Sequence, residues 1–233
     1  LVRVLAFAAV GCGICFAFAQ PIWDFLVSPM NQALAESGRG TMAITEPLEG
    51  FMTYIKVAAL AGFGLASPFI FHQIWGFVAP GLYPQEKKTV LPLAVASTFL
   101  FLGGAAFGYL VIFDFAFPFL LEVTESLGDD IEAVLSISAY LGLATKLLIA
   151  FGTCFQLPIV LYFLARIGLV DHRDLFHSFR YAVVVMFVVS AIITPPDIIS
   201  QCLMAGPLIV LYGVGIVLAY FFSTKVREED EED

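Results

Sequence analysis

Six apolar runs, each close to the ~20 residues a helix needs to cross ~30 Å of hydrocarbon, dictate what this chain can become. They fall near residues 4 to 27, 51 to 78, 89 to 120, 136 to 165, 178 to 194 and 201 to 222. Inside a bilayer every backbone N–H and C=O must be paired within the protein, so runs of this length read as helices. The alternating segments of about 10 residues that build a membrane β-barrel are not the pattern here. Composition agrees: 60% of 233 residues are apolar, 13% are charged and mean hydropathy is +0.93, against about 45–50% and about 25% in soluble domains. The expected fold is all-α, a polytopic membrane bundle of six transmembrane helices in one domain, residues 1–222, followed by a solvated, disordered acidic tail at 223–233.

Six spans put both termini on one side, and Lys and Arg identify it. Arg3, Lys87, Lys88, Arg166, Arg173, Arg180, Lys225 and Arg227 flank one face, whereas the other has only Arg39 clearly in a loop, so both termini are predicted cytoplasmic. Much of the net charge of −9 belongs to residues 228–233. A second acidic cluster, Glu122, Glu125, Asp129, Asp130 and Glu132, falls in an outer loop, where acids hardly affect orientation. The long loops at 28–50 and 122–135 both lie on that outer face and predict a structured cap there. Arg3, an apolar run and Ala17-Phe18-Ala19 imitate a cleavable secretory signal. The apolar stretch nevertheless continues through Trp23 to Val27, and the chain begins with Leu1 rather than Met, so residues are expected to precede it.

Polar groups within the spans are weighed one by one, because an ionised group at mid-bilayer costs about 2.5–3.5 kcal/mol. Lys56 and Lys146 lie near outer span ends, where the ammonium can snorkel to the interface, and Asp114 is similarly late in its span. Gln156 lies about 15 Å deeper than Lys146, near the middle of the fourth span. Its amide either joins two helices or lines a polar recess used by a substrate. Pro158 removes a backbone donor beside it and predicts a kink. The fifth span is short: about a dozen apolar residues separate Arg180 from Thr194-Pro195-Pro196-Asp197. Either Asp197 simply caps a turn, or Thr194, Asp197, Ser200 and Gln201 are open to a partner within the hydrocarbon zone.

Residues 69–88, FIFHQIWGFVAPGLYPQEKK, close the second apolar run with a dense aromatic, proline and charged turn. Trp75, Phe77, Pro80, Tyr83, Pro84, Glu86, Lys87 and Lys88 predict a stiff, amphipathic edge anchored at headgroup depth. Catalytic patterns are missing: there is no H-E-x-x-H, Walker A, G-x-S-x-G or G-x-G-x-x-G. His72, His172 and His177, assigned to cytoplasmic turns, have poor spacing for a helical metal site. Cys12 and Cys15 form a C-x-x-C inside an apolar span and read as packing residues. Cys154 and Cys202 are isolated, and neither metal nor cofactor is expected.

Three segments, SPFIFHQIWGFVAPGLYPQEKK at 67–88, AFGTCFQLPIVL at 150–161 and ITPPDIISQCLMAGP at 193–207, resemble, in order, the TatC family, the six-span core of the twin-arginine protein translocase. The resemblance covers nearly the whole chain. It implies a non-enzymatic receptor for twin-arginine signal peptides in the cytoplasmic membrane, acting with single-span TatA/TatB-type subunits in an oligomeric complex to move folded proteins with the proton-motive force. It implies Glu86 as the acceptor of the arginine pair, with Phe77, Pro80, Leu82 and Tyr83 shaping the patch. Thr194, Pro195, Pro196, Asp197 and Gln201 then dock the partner helix, and Pro29 and Pro47 are structural positions of the outer loop. Two features depart from the family: its acidic N-terminal segment is absent before Leu1, and the position of Gln156 is usually Glu. The competing class is a secondary transporter or channel with Gln156, Lys146 and Asp114 along an ion path. Missing inverted repeats, and a concentration of distinctive residues at one surface rather than at midplane, weigh against it.

Overall fold

The computed structural model describes residues 2–37, 41–79, 90–125, 134–193 and 198–222. Helices α1 (Val2–Ala17) and α2 (Ala19–Ser37) come first, then α3 (Glu49–Val78), α4 (Val90–Phe107) and α5 (Phe113–Glu125). They are followed by α6 (Ile137–Cys154), α7 (Leu157–Arg166), α8 (His172–His177), α9 (Phe179–Ile193) and α10 (Ile198–Phe222). Two short strands, β1 (Thr41–Ala43) and β2 (Val134–Ser136), pair in parallel in the register Thr41 to Val134. The chain is thus a helical, polytopic membrane bundle, and the strands are its small exception.

Among the described residues, four stretches are long and apolar enough to span: Glu49–Val78, Val90–Thr124, Ile137–Arg166 and Gln201–Phe221. A fifth span requires the bent pair α1 and α2 to count as one. Helix α9, at 15 residues, is about 22 Å long and too short for an upright crossing. Its shortness was readable from the sequence.

Several expectations need correction. The first run is not a continuous helix from 4 to 27, because the chain bends by 83° around Phe18. Pro21 supplies a reason: it has no N–H to give to the Ala17 carbonyl, and its ring crowds that carbonyl. Residues 28–50 are not one loop either. Helix α2 continues through them to Ser37 and holds Pro29 buried inside it, while Pro47 occupies the exposed turn before α3. His72 lies within α3, not in a turn.

The third run contains a π-helical turn at Gly108–Ile112 between α4 and α5. It lies where α4 approaches α6 closely through glycines. A Cβ on Gly104 would sit 2.6 Å from the Phe151 carbonyl oxygen, and one on Gly108 3.4 Å from the Phe151 ring. The fourth run breaks at Phe155 and Gln156, so that Pro158 enters the first turn of α7, where a missing N–H is harmless.

Packing divides into three regions. Leu26 and Met30 of α2, Phe113 and Phe117 of α5, and Tyr140, Leu141 and Phe151 of α6 form the largest cluster. Leu161 and Ala165 of α7, Leu175 of α8, Met186 of α9 and Leu208 of α10 form the second. Trp75, Leu93, Ala94 and Ile159 join α3, α4 and α7 in the third. Helix α1 packs mainly on α3. The outward faces carry exposed Val10, Ile14, Phe99, Leu110, Val184, Val188 and Val210, which suits contact with lipid rather than water.

Candidate functional site

The two ends of the bundle are built differently. At one end the strand pair delivers the chain into α3 and α6 side by side, and Glu49 locks the junction. Its carboxylate is 5% exposed. One oxygen accepts from the Thr45 backbone N–H at 2.5 Å, the Thr45 hydroxyl at 3.0 Å and the Glu46 N–H at 3.2 Å. The other accepts from the Ser136 hydroxyl at 2.6 Å and the Ser138 N–H at 2.5 Å. A single anion therefore satisfies donors at the start of both helices, where the helix dipoles also favour negative charge. Ser138 additionally accepts from the Lys56 ammonium at 3.0 Å, so Lys56 reaches toward this junction while remaining exposed. A structured junction is thus present at this end of the described bundle. Sequence reasoning passed over Glu49, although an acid at the mouth of an apolar run, four residues after Thr45, is a helix-start signal.

At the opposite end, α3 finishes with two aromatics that face different ways. Phe77 is 87% exposed. Trp75 is 7% exposed and is not a headgroup anchor. It stands edge-on to Phe163 at 4.9 Å, and its indole N–H donates to the Ser97 hydroxyl at 2.9 Å. The backbone carbonyl of the same Ser97 accepts from the Gln156 amide at 3.0 Å. Trp75, Ser97 and Gln156 thus tie α3, α4 and the break between α6 and α7 into one polar joint. The interhelical bond expected as one of two roles for Gln156 is present. The joint fixes the end of α3, and with it Phe77, against the α6–α7 segment. Pro80, Leu82, Tyr83 and Glu86 lie outside the described residues.

The hairpin of α9 and α10 is braced by Gln201, whose amide donates to the Phe187 carbonyl at 2.9 Å. Thr194, Pro195, Pro196 and Asp197 lie outside the described residues. Asp114 and Lys146 are exposed. Cys15 is buried and Cys12 half-buried against α3, in keeping with packing. Among the described residues no group of His, Cys, Asp and Glu is arranged to hold a metal ion.

Comparison with known proteins decides the family. Residues 1–207 match the family model described as Sec-independent protein translocase protein (TatC). The chain belongs to the TatC family. A TatC relative from Desulforapulum autotrophicum is 42% identical over 99% of this chain and 84% of its own length. Another from Helicobacter pylori is 41% identical over 94% of this chain and 84% of its own. The crystal structure of a twin arginine translocase receptor TatC superposes with a TM-score of 0.80 at 36% identity, covering 94% of each chain. The bend between α1 and α2, the short α9 and the joint around Ser97 all lie within the residues that the TatC family model matches.

Proposed function

We propose that this chain is the twin-arginine signal-peptide receptor and core subunit of a translocase that moves folded proteins across the cytoplasmic membrane, powered by the proton-motive force. It binds and organises rather than catalyses. The observation that carries the reading is the likeness in fold and sequence to a solved twin-arginine translocase receptor along nearly the full length of both chains. Exposed Phe77 at the end of α3 supports a recognition surface there. Six spans with both termini cytoplasmic remain the topology we infer, with α9 as the short fifth crossing.

In this reading Glu86 accepts the arginine pair, and Phe77, Pro80, Leu82 and Tyr83 form the patch around it. A planar guanidinium can give a carboxylate two charge-assisted hydrogen bonds, which suits Glu86 chemically. Single-span TatA/TatB-type subunits dock at the tip of the α9–α10 hairpin through Thr194, Pro195, Pro196, Asp197 and Gln201. The shortness of α9 supports that surface, because it brings polar groups toward the hydrocarbon zone.

The test is a titration of a twin-arginine peptide against the full chain in nanodiscs. Loss of a charge-assisted contact contributing about 1.5–3 kcal/mol weakens binding about 10- to 150-fold in Glu86→Ala. Glu86→Lys abolishes it. Unchanged affinity in both variants, with expression intact, removes Glu86 from the site.

A further inference from the structure

The connection between α7 and α9 folds as the short amphipathic helix α8, which buries Leu175 and leaves Arg173, Phe176 and His177 exposed. Asp171 and Asp174 close a capping box at its start, and Leu175 is buried in the second cluster. Tyr212 of α10 donates its hydroxyl to the Leu175 carbonyl at 3.0 Å, and the His172 ring stands edge-on to Tyr220 at 5.2 Å. These contacts hold α8 against the last turns of α10.

Between the two helices runs a groove of about 550 Å³. Ile216, Val217, Tyr220 and Phe221 form its floor, Phe176 walls it, and its exposed surface is carbon throughout. Arg173 and His177 border it and are exposed. Four residues apart, they share a face of α8. Both neighbouring acids take part in the start of the helix. Asp171 accepts the His172 backbone N–H and lies 2.7 Å from His172 Nδ1, while Asp174 accepts the Asp171 N–H at 3.1 Å.

This combination selects a kind of ligand. A free inorganic anion would use the basic rim alone and gain nothing from the carbon floor. A molecule that is apolar along most of its length and anionic at one end matches both the floor and the rim. The groove also lies at the end of the spans where Arg166, Arg173 and Arg180 gather, and Tyr220 and Phe221 are residue types of the membrane interface. Basic pockets between spans at that level take the headgroups of anionic lipids.

We propose that the groove binds one anionic phospholipid, its phosphodiester at Arg173 and His177 and one acyl chain along Val217 and Phe221. The site needs only that α7, α9 and α10 lie in a bilayer, so it stands or falls separately from signal-peptide recognition. Native mass spectrometry of the full chain released from vesicles of phosphatidylglycerol and phosphatidylcholine tests it. Phosphatidylglycerol is expected to be retained in preference. Arg173→Gln lowers that retention about fivefold, the contribution of one basic residue at an anionic surface, and adding His177→Gln lowers it further. Arg180→Gln, whose guanidinium lies over the Tyr181 ring at 4.9 Å, leaves it unchanged.

A photoreactive acyl-chain phosphatidylglycerol, used on the unaltered chain, is expected to label residues within 216–221, whatever the folding of the variants. Equal retention of the two lipids, or an equal loss in Arg180→Gln and Arg173→Gln, overturns the proposal. Displacement of the lipid by inorganic phosphate overturns it in favour of a free-anion site. Adducts that form only after removal of residues 228–233 assign the groove to that acidic run instead, and labelling confined to other helices refutes the site outright.

Discussion

The crossing of α1 and α3 gives the sharpest prediction, because two glycines there touch backbone and two others nearby touch nothing. A Cβ on Gly62 would lie 2.5 Å from the Cys12 nitrogen, 2.6 Å from Cys12 Cα and 2.8 Å from the Gly11 carbonyl carbon. One on Gly11 would lie 2.8 Å from the Gly62 oxygen. A Cβ on Gly64 or on Gly13 meets nothing within 4 Å. Carbon atoms pack best at about 3.5–4.0 Å, so Gly62→Ala must push α1 away by about 1 Å. No rotamer change can relieve the contact, since the obstacle is main chain. All four Ala variants gain the same helix propensity, about 0.8–1 kcal/mol per site. The difference between Gly62→Ala and Gly64→Ala therefore isolates the steric cost, about 1–3 kcal/mol by the behaviour of overpacked interiors. For a chain of this size that corresponds to a gap of about 2–12 °C in apparent Tm at a fixed scan rate. Gly64→Ala and Gly13→Ala should match or exceed the unaltered protein, with Gly62→Ala lowest and Gly11→Ala also reduced. Equal midpoints for Gly62→Ala and Gly64→Ala would refute the claim that the two backbones meet at this crossing.

Three other outcomes can be measured. Glu49→Gln keeps one acceptor oxygen and turns an NH2 toward the other donor set, so hydrogen exchange should accelerate at whichever of the Thr45 and Ser138 amides, bound to different carboxylate oxygens, now faces that NH2; Glu46→Gln, on an exposed side chain, should leave both slow. Gln156→Leu removes the donor to the Ser97 carbonyl, and interhelical bonds of this kind average only about 0.6 kcal/mol, so the thermal midpoint should barely move. If Gln156 also meets a signal peptide or a partner helix, export of a folded reporter falls in that variant, and full export leaves it the packing role alone. Cysteines at Thr194 or Gln201 should crosslink to a single-span partner while cysteines at Asp129 or Asp130 do not, and retention of the partner through purification by a Thr194→Leu, Gln201→Leu double variant would rule the hairpin out as the docking surface.

What the sequence revealed and what it concealed separate along physical lines. Hydropathy depends on residue type alone, so the long spans, the shortened α9 and the break beside Pro158 were visible before any contact was known. Direction around a helix was harder to read. Trp75 and Phe77 are two residues apart on one helix and so point to different sides, and an all-apolar neighbourhood gives no periodicity to say which faces protein and which faces lipid. Trp75 turns inward because Ser97 of α4 offers its indole an acceptor, a partner 22 residues away. Pro29 was placed in the outer loop because the first apolar run ends at Val27, yet α2 continues past it, with Leu26 and Met30 packed on α5 and α6. Glu49 was missed because its donors come from two segments, with Ser136 and Ser138 87 and 89 residues away, and only the pairing of β1 with β2 brings them together.

The same reasoning explains why the polar joints lie where they do. A bundle in lipid gains little hydrophobic energy from helix association, because hydrocarbon solvates the separated helices as well as the packed ones. Orientation between spans must then come from close backbone approach and from a few hydrogen bonds. The chain supplies both: glycine contacts at Gly11, Gly62 and Gly104, and bonded joints at Glu49, at Ser97 and at Tyr140, whose hydroxyl donates to the Leu26 carbonyl. Each joint connects elements distant in sequence, and Glu49 and Trp75 hold opposite ends of the same helix α3. With both ends fixed, the exposed Phe77 is presented by a rigid span and not by a wandering loop. If Phe77 meets a peptide as proposed, a side chain held this way spends less of its binding energy on ordering itself.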